Sequence, residues 1–432
     1  MSGSQNFVPS DTSDKTLKPS GNDEVNAARK NLIAAINFRD EPPFTDLVHL
    51  FNTDGSPDED KMYRYYHNGC KTHRSQYSKQ PPENLWCSEV LIAVRNDLSD
   101  VAVKEELPLF IDFHGGGFTT GDIRHGAWRQ KHKIELIAET NMICVCPNYP
   151  VLPWFDGKQI NAAIREFWNY IFSDDFKNDL KSLHPQLKPQ LKDIIVSGDS
   201  AGAWLAMHSF LEPGLGRDPV TNKEAPLDIS VVYMQYPMLC HYKREVPPEG
   251  LQYLGQEPKL SQAEITDKAN DLKARWKEWH QALAAANMTP YQVAIPRPWA
   301  PIGVSASFLA SCSGDSWKEL FQNGDSSLKD IVERLEAEQG TAIELRARVP
   351  RFYIYHGAAD VNVNIEDTKR ALYLIRKRYL AKGVAASEVD EHIHFAEELL
   401  QDKGHGFDHN ISVKTEEGRF IKDVHDMIKK NL

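Results

Sequence analysis

The chain is 432 residues long, with 41% hydrophobic and 26% charged residues and a formal net charge of −11. Such a composition buries a sizeable core and confines disorder to local stretches, while the acidic balance, without a long Lys/Arg run, disfavours nucleic acid and anionic membrane surfaces as partners and points to neutral or apolar small molecules. No run of about 18 apolar residues offers a membrane span, and the six cysteines make neither a disulfide framework nor a zinc pattern.

Residues 1–23 are rich in Ser, Asp, Lys, Gly and Pro without periodicity and read as a disordered polar tail. They lack the apolar core of a signal peptide, so a cytoplasmic protein is expected. The C-terminal Lys-Lys-Asn-Leu matches the peroxisomal address Ser-Lys-Leu only loosely. In the next stretch, 24–85, Val25, Ala28, Leu32, Ala35 and Ile36 fall at helical spacing before Pro42, which predicts an amphipathic helix that must dock on something.

A core is expected over 86–240. Two strand-like runs, EVLIAVRND and LPLFIDFHGGG, open it. Helical KIELIAET, strand MICVCPNYP, helical NAAIREFWNYIF, strand KDIIVSGDS, helical AGAWLAMHSFL and strand DISVVYMQYP then alternate. That alternation predicts a mostly parallel sheet covered by helices on both faces. Cys144 and Cys146, two apart on one strand, share a face and read as small buried hydrophobes. Over 241–348 the rhythm breaks, with helical segments from Ser261 to Asn287 and near Ser316 to Gln339 around a Pro-rich joint. A structureless loop this long is unusual, so an inserted helical lid is expected. The core resumes over 349–432 with strand PRFYIYHGAAD, helical IEDTKRALYLIRKRYLA, short strand EHIHFA, the turn DKGHGFDH and a closing helix from Ser412.

The chemistry-bearing residues sit at the ends of these strands. Gly198-Asp199-Ser200-Ala201-Gly202 follows a strand and opens a helix, the context of a nucleophile elbow. A sharp turn there strains the serine backbone and lifts its hydroxyl clear of the sheet, with the helix N-terminus behind it favouring negative charge. Upstream, His114-Gly115-Gly116-Gly117-Phe118 ends a central strand. Glycines bare their N–H groups to an approaching oxyanion, so Gly116, Gly117 and Ala201 are the candidate oxyanion donors, with His114 as a brace for the loop. A serine at its ordinary pKa needs a base, and the base an orienter. His405, in the late turn Gly404-His405-Gly406-Phe407, and Asp360, after a strand, supply them in the chain order Ser, Asp, His. Asp367 and Asp402 are rival acids, and His356 and His409 rival bases. Phe118, Trp128, Trp154, Phe155 and Trp204 are aromatics near the motifs that can line an apolar pocket. No metal or organic cofactor is needed for such chemistry.

HGGGF, GDSAG, HGAAD and GHGF together resemble the hormone-sensitive lipase family of esterases, over roughly Leu107 to the C-terminus. The resemblance implies an α/β-hydrolase fold, a helical cap built from the N-terminal region and the 241–348 insertion, and carboxylesterase activity on a small ester with an apolar acyl group. Two departures stand out: Gly202-Ala203 replaces a glycine pair after the serine, and Tyr149-Pro150-Val151-Leu152-Pro153-Trp154 lacks the family's glutamate. Lactone or arylformamide hydrolysis and elimination or cyclisation of a natural product stay open, as does ligand binding without turnover. The polar lid, with KANDLKARWKEWHQ and VERLEAEQ, argues against an interfacially activated lipase.

Overall fold

The computed structural model describes residues 70–78, 88–98, 106–121, 123, 129–152, 155–212, 214–217, 223–225, 227–240, 246–253, 256–267, 270–271, 274, 281, 331–337, 348–396 and 400–430. Its main sheet contains β1 (Cys70–Gln76), β2 (Glu89–Arg95), β3 (Glu106–Phe113), β4 (Ile143–Pro147), β5 (Lys188–Asp199), β6 (Ile229–Gln235), β7 (Arg351–Tyr355) and β8 (Ile393–Ala396). Their spatial order is β1-β2-β4-β3-β5-β6-β7-β8. β2 runs antiparallel to both neighbours, and every pairing from β4 onward is parallel.

Side chains on the central strands alternate between two cores, as a pleated sheet requires. Val90, Ile92, Leu109, Ile111, Ile194 and Val196 point to the larger one. Leu91, Ala93, Phe110, Cys144, Cys146 and Ile195 point to the other. Both faces are apolar because both are covered. Helices α1 (Lys131–Glu139) and α8 (Arg419–Lys429) cover the second face through Leu136, Ile137, Val424 and Ile428. The first is covered by α2 (Gly157–Ile171), α3 (Asp174–Leu183), α4 (Ala201–Leu211) and α6 (Ile365–Ala381). Local signals start these helices: Asp156 and Gln159 form a reciprocal capping box at α2, and Ser173 caps α3. Two shorter helices are α5 (Ile331–Glu336) in the insertion and α7 (Ala386–His392) before β8.

This is the α/β-hydrolase fold that the sequence led us to expect, with corrections at the margins. The sheet begins before residue 86. β1 lies inside the 24–85 stretch, where CKTHRSQ carries no apolar run because it is an edge strand whose residues are mostly half-buried. Asp174–Leu183 and Ala386–His392 are additional helices, and the closing helix starts at Arg419, after turns, rather than at Ser412. The insertion opens with a small antiparallel hairpin, Leu251–Tyr253 with Gln256–Leu260, before helical residues at 262–267. The tail 1–23, the Glu24 helix, Trp128 and Trp154, and most of the two insertion helices lie outside the described residues. Among the described residues no helix is long and apolar enough to cross a membrane.

Candidate active site

Parallel strands deliver their C-terminal ends to one edge, and the motif residues collect there. β5 ends at Asp199 and α4 starts at Ala201, leaving Ser200 alone at the junction with φ 52° and ψ −117°. A non-glycine residue at positive φ is strained, and the surroundings must hold it there. Backbone bonds do so: Ser200 N–H donates to Gln235 O at 3.0 Å, and Met238 N–H to Ser200 O at 3.1 Å. The elbow closes only because its flanks lack side chains. A Cβ on Gly198 would stand 2.2 Å from the carbonyl carbon of Gly202, and one on Gly202 2.1 Å from Phe113 O. Both contacts are with main chain, which cannot swing aside.

Phe113 is the last residue of β3, so the elbow packs directly against the start of the glycine loop. Gly116, Gly117 and Phe118 turn that loop with φ of 110°, 60° and 60°. Gly115 passes so close to Asp199 that a Cβ there would meet its carboxylate at 2.2 Å. Among the described residues the N–H groups of Gly116, Gly117 and Ala201 donate to no backbone carbonyl, leaving them free for an oxyanion. His114 Nδ1 donates to Gly115 O at 2.8 Å, and its ring stacks on Tyr149 at 4.2 Å. Tyr149 is a support that sequence reasoning left unassigned. Its hydroxyl donates to His114 O at 2.6 Å, and with Leu152 N–H donating to Phe118 O at 2.7 Å it ties the glycine loop to the segment after β4. Phe118 packs edge-on against Tyr149 and Trp204, and Phe155 is buried in the same core.

Ser200, His405 and Asp360 are brought together. Ser200 Oγ donates to His405 Nε2 at 3.0 Å, and His405 Nδ1 donates to Asp360 Oδ2 at 2.7 Å. Asp360 is buried, and its Oδ1 accepts from the N–H groups of Asn362 and Val363 at 2.8 and 2.9 Å. Burial pushes this carboxyl upward, but hydrogen bonds from His356 and His405 and the charge on His405 outweigh it and hold Asp360 well below the usual range. Ionised at neutral pH, it can fix the His405 tautomer and balance an imidazolium. The turns carrying acid and base are cross-linked by Ala358 N–H to Leu400 O and Ala359 N–H to Lys403 O.

The rivals are placed elsewhere. Asp402 is exposed, and Asp367 lies in the first turn of α6, whereas the His405 ring nitrogens are bonded to Asp360 and Ser200. His356 stands behind Asp360, and His409 Nδ1 lies 3.2 Å from Gly406 O. Sequence reasoning missed Asp408, three residues past the base. It is fully buried, accepting from Tyr236 at 2.7 Å, from His132 Nε2 at 3.1 Å and from Tyr355. Burial raises its pKa, and the bonds and charges of His132 and His409 reverse that, holding it well below the ordinary value. Tyr236, anchored by Asp408, rests its ring 4.7 Å from His405. The GHGFDH string contains this anchor, but its partners are on β7, on α1 and just past the end of β6, far away in sequence.

A family model described as alpha/beta hydrolase fold matches residues 110–289. The chain is 26% identical over 151 residues to a probable carboxylesterase, M8, of a Phoma species, an alignment covering 35% of this chain. The chain spans about half the length, 47%, of that curated relative. Among solved structures it is similar to Thermogutta terrifontis esterase 2. For the sarin-phosphonylated form the identity is 15% and the TM-score 0.42, over 84% of this chain and 94% of that one. The butyrate-bound form is 15% identical with a TM-score of 0.42, over 84% and 93%.

Proposed function

We propose that this chain is a serine carboxylesterase that cleaves small esters with an apolar acyl group through an acyl-serine intermediate. The observation that carries the reading is the unbroken chain of hydrogen bonds from Ser200 through His405 to buried Asp360, beside three bare N–H groups. Ser200 Oγ attacks the ester carbonyl carbon as His405 Nε2 takes its proton, and Gly116, Gly117 and Ala201 receive the oxyanion. One such donor is typically worth about 3 kcal/mol of transition-state stabilisation. The tetrahedral intermediate collapses with cleavage of the bond to the alcohol oxygen, which leaves with the proton from His405. Water repeats the attack on the acyl-serine and releases the acid.

Three finer readings accompany this. The motifs, with Tyr149 holding the glycine loop where the family's glutamate is missing, favour the hormone-sensitive lipase family. The insertion at 241–348 and part of 24–85 form the cap over the acyl group, in keeping with the helical residues at 262–267 and α5. A cytoplasmic location fits Cys144 and Cys146, whose sulfurs lie 3.5 Å apart without a disulfide bond between them. The test is hydrolysis of p-nitrophenyl esters from acetate to palmitate beside Ser200→Ala. Turnover of short or medium chains by the wild type alone is expected; a wild type inert across the series, or an equally active variant, contradicts the reading.

A further inference from the structure

We propose that His356 is a positioning residue for the acid-base pair, a second imidazole that shares one oxygen of Asp360 with His405 and so limits how strongly His405 holds a proton. The inference rests on the triad reading above. His356 follows β7, four residues before Asp360, and is fully buried. Its Nε2 lies 3.1 Å from Asp360 Oδ2, the oxygen that also accepts from His405 at 2.7 Å. Its Nδ1 is 2.9 Å from Thr368 Oγ1.

These contacts select a tautomer. With the Thr368 hydroxyl donating to Nδ1, the ring proton sits on Nε2, where it points at Asp360 Oδ2 and at Val363 O, 3.2 Å away. A neutral donor suits the place, because a second imidazolium would repel the one that His405 becomes during attack. Every donor to a carboxylate draws on the charge it can offer the others. An Asp360 shared by two imidazoles therefore supports the His405 imidazolium less than one reserved for it.

Among the described residues, few other ionisable groups face this cluster. Tyr236 covers His405 and is itself bonded to Asp408, which pairs with His409 at 3.6 Å. On α6, Asp367 precedes Thr368, and burial, with Glu366 beside it, pushes that carboxyl up to about 6. At the base turn Lys403 pairs with Glu417, and Asp402 is exposed.

The test compares the acid limb of kcat/KM in wild type, His356→Leu and His356→Gln, each also carrying Asp367→Asn so that its titration near 6 does not intrude. His356→Leu is expected to move the limb upward by about half to one pH unit, a roughly 3- to 10-fold tighter hold on the His405 proton. His356→Gln, which keeps a donor near the Nε2 position, is expected to restore the limb. A folded His356→Leu with an unmoved limb overturns the proposal. Should that variant not fold, His356→Met removes the same donor and should shift the limb the same way, and no shift there is equally contrary. Titration of His405 by NMR of ¹³C-histidine-labelled protein reads the same shift without turnover. If the wild type cleaves no ester and Ser200 takes no fluorophosphonate, the esterase reading fails while the NMR titration still decides the role of His356.

Discussion

The two halves of the candidate site are held by different physics. The nucleophile half is built largely from main chain against main chain, Gly198 on Gly202 and Gly202 on Phe113, with Gly115 pressed against the Asp199 carboxylate. The acid-base half is built from buried side chains, with Asp360 tied to His356 and Asp408 tied to Tyr236, Tyr355 and His132. Crowded backbone excludes side chains, so the first half writes itself into a short string of glycines. Buried polar contacts impose no such local pattern. The first half should therefore fail abruptly on adding a methyl group, and the second gradually as donors are removed.

The largest expected effect falls on the shared atom. Ser200→Ala should leave the fold intact and lower kcat by at least about 10⁴-fold in p-nitrophenyl ester assays, as removing a triad nucleophile does elsewhere. Next, Asp408→Asn strips the charge from a buried carboxylate with three donors. A loss of about 3 kcal/mol in urea unfolding at pH 7 is expected, together with a fall in kcat of about 10- to 100-fold as the His405 turn loosens. The pH dependence carries the sign. Because Asp408 is held below its ordinary value, its stabilisation is present above the unfolded pKa of about 3.9 and is lost as pH falls below it. The difference between wild type and variant should therefore shrink in acid. A difference that is constant with pH would remove charge from the account of this turn.

Tyr149→Phe probes the place where a side chain supports the glycine loop. Losing the hydroxyl bond to His114 O should cost about 1 kcal/mol of stability and lower kcat by roughly 10-fold with KM little changed, since loop donors act in the transition state. The smallest effect is expected at Asp367, which burial pushes up to about 6. A carboxyl raised in the folded state binds its proton more tightly there than in the unfolded chain. Stability then declines as pH rises from about 4 to 6. Asp367→Asn should remove that decline and gain about 1 kcal/mol at pH 7, after allowance for solvent screening at this half-buried site, with no gain at pH 3.5. Urea titrations at the two pH values check it.

What the sequence disclosed follows the same division. The elbow and glycine loop could be read directly, as could the strand-helix alternation of the core, because period and glycine spacing are local. Asp360 and His405 were legible through their positions after a strand and in a turn. Asp408 was not, since its donors lie 53, 172 and 276 residues away. β1 escaped notice because an edge strand exposes one side to solvent and needs no apolar run. Tyr149 was visible as part of a motif, yet its hydroxyl bond to the glycine loop depends on how β3 and β4 lie side by side.

The account turns on Ser200 being a nucleophile made reactive by His405. Intact-mass and peptide mapping after treatment with a fluorophosphonate tests it most directly, run on wild type, Ser200→Ala and His405→Ala. One adduct on Ser200 in the wild type, and none in either variant within the same time, is the predicted result. A folded wild type that takes no adduct, or takes it on another residue, would contradict the assignment.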